Sequence, residues 1–367
     1  MKNKNKATLI VLFLSALIIL VSCTKQKVEW KGTIEQEAGV TIIRNPKEPI
    51  YGEDVFSLEE ELSIGEEEGR EECMFSELRQ VDVDDDERIY VLDWEAEHIK
   101  VFDKDGNYLM TIGRKGQGPG ELNNSSMISI SRDELMVRES RRLSFFSLDG
   151  KFLRYLLTKE MSPTRARFGS QGLFIIEEML FDPENPRYQV KKIDNDLNII
   201  CEIASSPAFD PRKPYNPFMS YSYWLIDKDE NIVYGYQADY ELRIYNQDGL
   251  QLKKIKKEYD PVEITEEEKE ERMEGLPSGI NVDIPKYHTA FYRFFLDDEG
   301  RVFVQTYEKI GEEEIYYHDA FDREGRYIAK IPLRMRPFLC KKGKLYTIED
   351  DEEGYQVVKR YKVTWNY

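Results

Sequence analysis

Arg88-Ile89-Tyr90-Val91-Leu92-Asp93, with Ile99-Lys100-Val101-Phe102-Asp103-Lys104-Asp105-Gly106-Asn107-Tyr108-Leu109 behind it, reads as three strands and a turn. The runs are apolar and alternating, as half-buried strands are. Asp103 to Gly106 is a tight turn, because glycine accepts the positive φ that hairpin turns require. The unit returns as Leu143-Ser144-Phe145-Phe146-Ser147-Leu148-Asp149-Gly150-Lys151-Phe152-Leu153. It returns again at Leu242 to Leu252 around Asp248-Gly249, and at Ala320 to Ile328 around Gly325. Val190 to Ile199 is a looser copy.

A second hairpin precedes each unit, for instance Val81-Asp82-Val83 with Ile89-Tyr90-Val91, and Trp224-Leu225-Ile226 with Ile232-Val233-Tyr234. Four strands per unit make the blade of a β-propeller. Full units start near Leu78, Met127, Ala166, Tyr223 and Tyr292. After them, Phe338 to Cys340, Leu345 to Ile348 and Gln356 to Val358 supply only three strands before the chain ends. Glu61-Leu62-Ser63-Ile64-Gly65 copies Leu109-Met110-Thr111-Ile112-Gly113, the outer strand of the first full blade. It is expected to complete the last blade and close the ring, which removes the exposed sheet edges of an open array. The expectation is an all-β, six-bladed propeller over residues 53–367, closed by an N-terminal strand.

Residues 1–22 read as a signal peptide. Lys2, Lys4 and Lys6 precede an apolar run from Ala7 to Val21 that is too short to span a bilayer comfortably. Leu20-Val21-Ser22-Cys23 resembles a lipobox, which implies cleavage before Cys23 and lipidation of its thiol. That places the chain in a bacterial envelope, with the outer membrane expected because Thr24, not Asp, follows the cysteine. Residues 23–52 are expected to be a tether leading into the propeller. Residues 258–290 form a long insertion between blades. In it, Thr265 and Glu268 make a capping box for a short acidic helix that ends near Gly275.

Cleavage removes three lysines and no acid, taking the formal charge from −18 to −21. Such a surface repels nucleic acid. Cys73, Cys201 and Cys340 remain, an odd number that allows at most one internal disulfide. No motif carries chemistry. Gly116-Gln117-Gly118-Pro119-Gly120 lacks the Lys and Ser/Thr of a phosphate loop. Asp82-Val83-Asp84-Asp85-Asp86 starts like a calcium loop, but Glu87 stands where an EF-hand needs glycine. The three histidines, His98, His288 and His318, are scattered. No catalytic residue, metal site or cofactor is assigned.

Strand alternation places the short turns on one face. The second-to-third turns and the inter-blade loops share the other, and loops on a rigid scaffold carry function. Between Arg114 and Arg167 stand eleven Lys or Arg against six Asp or Glu. Arg114, Lys115, Arg138, Arg141, Arg142, Arg165 and Arg167 are the bases expected at that face. Guanidinium forks suit carboxylates and phosphates. An acidic glycan, a carboxylate ligand or an acidic protein is therefore the expected partner, beside the membrane itself.

Tyr90 to Leu122 resembles the NHL-type six-bladed propeller lipoproteins of anaerobic bacteria. The carrying residues are Ile89 to Asp93, Val101 to Gly106, and Ile112-Gly113-Arg114-Lys115-Gly116-Gln117-Gly118-Pro119-Gly120-Glu121. The resemblance implies the fold and an envelope location, and no agreed activity. The leading expectation is a binding or scaffolding module. Its rivals are a metal-dependent lactonase or lyase with carboxylates at the channel, and a structural subunit that uses the acidic helix as a contact.

Overall fold

A computed structural model describes residues 29–366, apart from 67–68, 159–160, 278, 312–314 and 336. The signal segment and Cys23 lie outside the described residues.

Six sheets stand around one axis, and the repeat accounts for all of them. The N-terminal stretch supplies β1 (Thr33–Glu37), β2 (Val40–Asn45) and β3 (Phe56–Ile64). Blades one to five follow at residues 78–112, 127–157, 163–207, 222–257 and 293–333, each an antiparallel meander whose first strand is innermost. Blade six combines Pro337–Lys341, Lys344–Asp350 and Gln356–Trp365 with β3 as its outer strand. The closing register runs from Val358 opposite Ile64 to Trp365 opposite Phe56. The ring is thus shut by the strand that the sequence copy singled out.

Blades pack face to face through apolar clusters, one at each interface. Between blades one and two, Tyr90, Leu92 and Val101 meet Ile128, Leu135 and Phe146, all at most 1% exposed. The third-to-fourth turns of blades one, two, four and five, at Gly106, Gly150, Gly249 and Gly325, lean on the blade before. Gly106 has φ +82°, and a Cβ there would stand 2.8 Å from Leu62 Cδ1 of β3, so both backbone and space ask for glycine.

The stretch expected as a tether is more structured than that. From residue 33 it is a hairpin, with β2 running parallel to Gln251–Lys257, the outer strand of blade four. Blade four therefore has six strands. Ile42 and Ile43 are 2% and 1% exposed, which explains why the hairpin docks rather than trailing in solvent. The chain then crosses blade five, where the Ile50 and Tyr51 amides donate to Tyr327 O and Ile328 O, before entering blade six as β3.

The insertion carries α1 (Glu266–Met273), capped reciprocally by Thr265 and Glu268. Glu268 also meets His288 Nε2 at 3.2 Å, and the His288 ring stacks on Tyr307 at 4.1 Å. Cys73, Cys201 and Cys340 are free thiols.

Candidate functional site at the channel mouth

Alternation on the innermost strands decides what lines the channel. In blade one, Val81 and Val83 pack toward blade six, so Gln80 and Asp82 turn toward blade two. There Gln80 pairs with the Ile128 amide and carbonyl, each at 2.9 Å, and Asp82 accepts from the Ile130 amide at 3.3 Å. In blade three, Ala166 packs toward blade two, which leaves Arg165 and Arg167 facing blade four and the channel.

The seven bases picked out from the sequence fall into three groups. Arg114, Lys115, Arg141 and Arg142 sit on the rim between blades one and two. Arg114 lies 2.9 Å from Glu121, and Arg142 lies 2.8 Å from Glu139. Arg142 also donates to Gln117 O and Glu121 O, and Glu121 in turn accepts from the Gly118 amide. These contacts fasten the glycine-rich loop, so Arg114 and Arg142 are spent on structure. Arg138 and Arg165 stand at the channel mouth. Arg167 lies deeper.

Arg165 is held by Glu177 at 2.9 Å and by Ser222 O at 2.5 Å, and its guanidinium lies 5.0 Å over the Tyr223 ring. Arg138 is different. Its Nε donates to Pro163 O at 2.7 Å and its Nη1 to Ser126 Oγ at 2.6 Å, both neutral acceptors. Beside it stands Arg79, exposed, 5.3 Å over the Trp94 ring. Burial lowers the Arg138 pKa, and the Arg79 charge lowers it further. Among the described residues, neither guanidinium has a carboxylate within ion-pair distance. Two neighbouring like charges, one of them over an aromatic face, with no carboxylate on either, make an anion-binding arrangement.

The aromatic side of the mouth lies over blades three to five. Tyr221 is 46% exposed, and its hydroxyl pKa is raised by burial and by Tyr188 and Tyr215 nearby. Loop 208–221 is tied to the insertion by Tyr215, whose amide donates to Asn281 O and whose carbonyl accepts from the Asp283 amide.

Sequence reasoning missed Arg79, Trp94 and the Tyr188–Tyr215–Tyr221 group. A search for dense positive charge starts at Arg114 and passes over a lone Arg79, and the aromatics read as core. The one available signal was the crowding of Tyr215, Phe218 and Tyr221 in a proline-rich loop, where no strand needs them.

Among the described residues, no group of three His, Cys, Asp or Glu is arranged to hold an ion. Asp84 of the acidic run locks its own turn, accepting from the Asp86 and Arg88 amides, Arg88 Nε and Tyr90 Oη. His318 is buried, and desolvation pushes its pKa down to about 3.

Ring, meander and open mouth place the chain among the six-bladed β-propellers. It belongs to the DUF5128 family, a 6-bladed beta-propeller family whose model matches residues 67–332. None of the curated proteins matches the sequence. Among solved structures, a Bacteroides fragilis protein whose name marks it as exported is similar, with a TM-score of 0.61 and 12% identity over 89% of this chain and 100% of its own. A DUF4221 family member from Bacteroides vulgatus reaches 0.53 and 12% identity, over 86% of this chain and 100% of its own. Virginiamycin B lyase from Staphylococcus aureus is more distant, at 0.44 and 14% identity over 85% of this chain and 100% of its own. At these identities the likeness concerns the fold, and a fold does not specify an activity.

Proposed function

We propose that this protein is a binding propeller of the bacterial envelope, held to the membrane through lipid on Cys23, whose long-loop face captures an acidic glycan. The observation that carries the binding reading is the pair of Arg79 and Arg138 at the mouth, Arg79 over the Trp94 ring and neither with a carboxylate on it among the described residues. A sugar carboxylate matches a guanidinium fork, and the sugar ring matches an indole or phenol face. The name of the Bacteroides fragilis neighbour is consistent with export. The NHL-type resemblance supports the anchor.

Capture of polygalacturonate, with neutral dextran as control, tests the reading. Arg79→Gln combined with Arg138→Gln should weaken capture roughly tenfold or more, the scale of one charge-assisted hydrogen bond. The loss should shrink as salt rises, because added ions screen the wild-type interaction. Equal capture by wild type and variant sinks the glycan site. For the anchor, Cys23→Ser should move the protein out of the membrane fraction, and unchanged partitioning would refute lipidation.

A further inference from the structure

A cleft of about 810 Å³ opens at blade five, a size usual for small-molecule sites. Two short turns of that blade line it. Glu299 and Arg301 come from the turn between its first and second strands, and Asp322, Arg323, Glu324 and Arg326 from the turn between its third and fourth. Both turns lie on the short-turn face, so the cleft and the mouth open on different sides of the ring. The N-terminal stretch adds Trp30 and Tyr51 to the lining. Both are fixed in place. Trp30 Nε1 donates to the buried Asn45 at 3.0 Å, and the Tyr51 amide donates to Ile328 O at 2.9 Å. The cleft therefore joins two aromatic side chains to a row of charges.

Those charges are already matched. Arg301 lies 2.9 Å from Asp297 and 2.6 Å from Glu299. Arg326 lies 2.7 Å from Asp322 and 3.2 Å from Glu324. Arg323 reaches Asp229 at 2.9 Å. An anion entering the cleft would meet a carboxylate beside every guanidinium, and a cation would meet three guanidiniums. A neutral polyol meets neither penalty. The pairs still have hydrogen bonds to offer it. Arg326 spends two of the five N–H donors of a guanidinium on its carboxylates, and Glu324 is exposed. A hydroxyl both donates and accepts, so neighbouring sugar hydroxyls can donate to Glu324 and accept from Arg326. The apolar face of a sugar ring suits an indole or a phenol. We infer that this cleft binds a short neutral oligosaccharide. The site is separate from the mouth and does not rest on the acidic-glycan reading.

Calorimetric titration of the full chain with cellotriose, xylotriose and mannotriose, one at a time, tests this. Spermidine is the cationic control. Galacturonate, titrated into the Arg79→Gln, Arg138→Gln double variant so that the mouth does not contribute, is the anionic one. At least one trisaccharide should bind saturably, with a Kd of about a millimolar or tighter. Arg326→Gln should weaken that binding about tenfold, and Tyr51→Leu about threefold or more. The mouth double variant should bind the trisaccharide as wild type does, whatever becomes of its polygalacturonate capture. The wild-type series is decisive even if a variant folds poorly. No saturable binding of any of the three overturns the inference, as does equally tight binding of spermidine or galacturonate. Trisaccharide binding that survives both cleft substitutions, or that is lost in the mouth double variant, overturns it too.

Discussion

The hairpin β1–β2 and the strand β3 come from one N-terminal stretch, and both extend the outer edge of a blade. They do different work. β3 runs antiparallel to Gln356–Trp365 and is the fourth strand of a blade that otherwise has three. β2 runs parallel to the outer strand of a blade that already has four, and β1 is exposed along its whole length. One segment completes a repeat, and the other is fastened onto one. The fastening is concentrated in Asn45, 2% exposed. Its Nδ2 donates to Lys256 O and Gly325 O, and its Oδ1 accepts from the Tyr327 amide and Trp30 Nε1. A single amide side chain thus joins the hairpin to blades four and five. The completing strand is held by an eight-pair ladder and the added one by a five-pair ladder with Asn45 at its end, so the two should fail differently.

Deleting Glu61 to Gly65 should have the largest effect. Without that part of β3 the ring opens, and a loss on the order of 5 kcal/mol or more is expected. Thermal melts of the deletion should show a much lower and broader transition across the whole propeller. A Tm within a few degrees of wild type would mean that the ring does not depend on β3.

Asn45→Ala should cost about 2–4 kcal/mol, because it strands the buried Tyr327 amide and Gly325 carbonyl. Unfolding in urea should stay cooperative, with the midpoint lowered and the slope unchanged. A loss below about 1 kcal/mol would show that the hairpin is held by its strand ladder and apolar burial, not by Asn45.

Acid should loosen the side of the ring that β3 completes. His318 lies beside Phe295 of the blade five–six cluster, and desolvation holds its folded pKa near 3 against an ordinary 6.5. Above pH 6.5 both folded and unfolded chains carry it neutral, and it costs nothing. As pH falls from 6.5 toward 3, the unfolded chain takes a proton that the folded chain refuses, and stability drops. Burial also lowers the pKa values of His98 and His288, which push the same way. His318→Phe should flatten part of that decline. An unchanged profile from pH 7 to 4, read by chemical denaturation, would refute the assignment.

The smallest contrast uses two turn glycines. Gly39, between β1 and β2, has φ +86° with open space around it, so Gly39→Ala should cost only about 1 kcal/mol of backbone strain. Gly106→Ala adds a clash with Leu62 of β3 and should cost more, roughly 1–3 kcal/mol beyond that. Equal losses would mean that Leu62 swings aside freely and that the turn does not bear on β3.

Blade number, blade order, turn positions and ring closure were legible because they rest on local signals that repeat. Strand alternation and Asp-Gly turns act over a few residues, and copies such as Leu62-Ser63-Ile64 against Met110-Thr111-Ile112 reinforce one another. β1–β2 belongs to no repeat. Its docking rests on Ile42, Ile43 and Asn45, an unremarkable trio in sequence, so it passed as a tether. The charge cluster was legible as composition and not as a site. Arg114, Arg142 and Arg165 each take a carboxylate that sequence spacing does not reveal.

By itself, then, the sequence determined a closed six-bladed ring and which face carries its long loops, since these follow from local periodicity and strand parity. The tertiary structure alone decided which charges meet. A propeller gathers six innermost strands around one axis, bringing Arg79 near Arg138 and Arg165 to Glu177 and Ser222 across gaps of many residues. Coulomb energy depends on distance in space and on burial, and the one-dimensional order of the chain records neither.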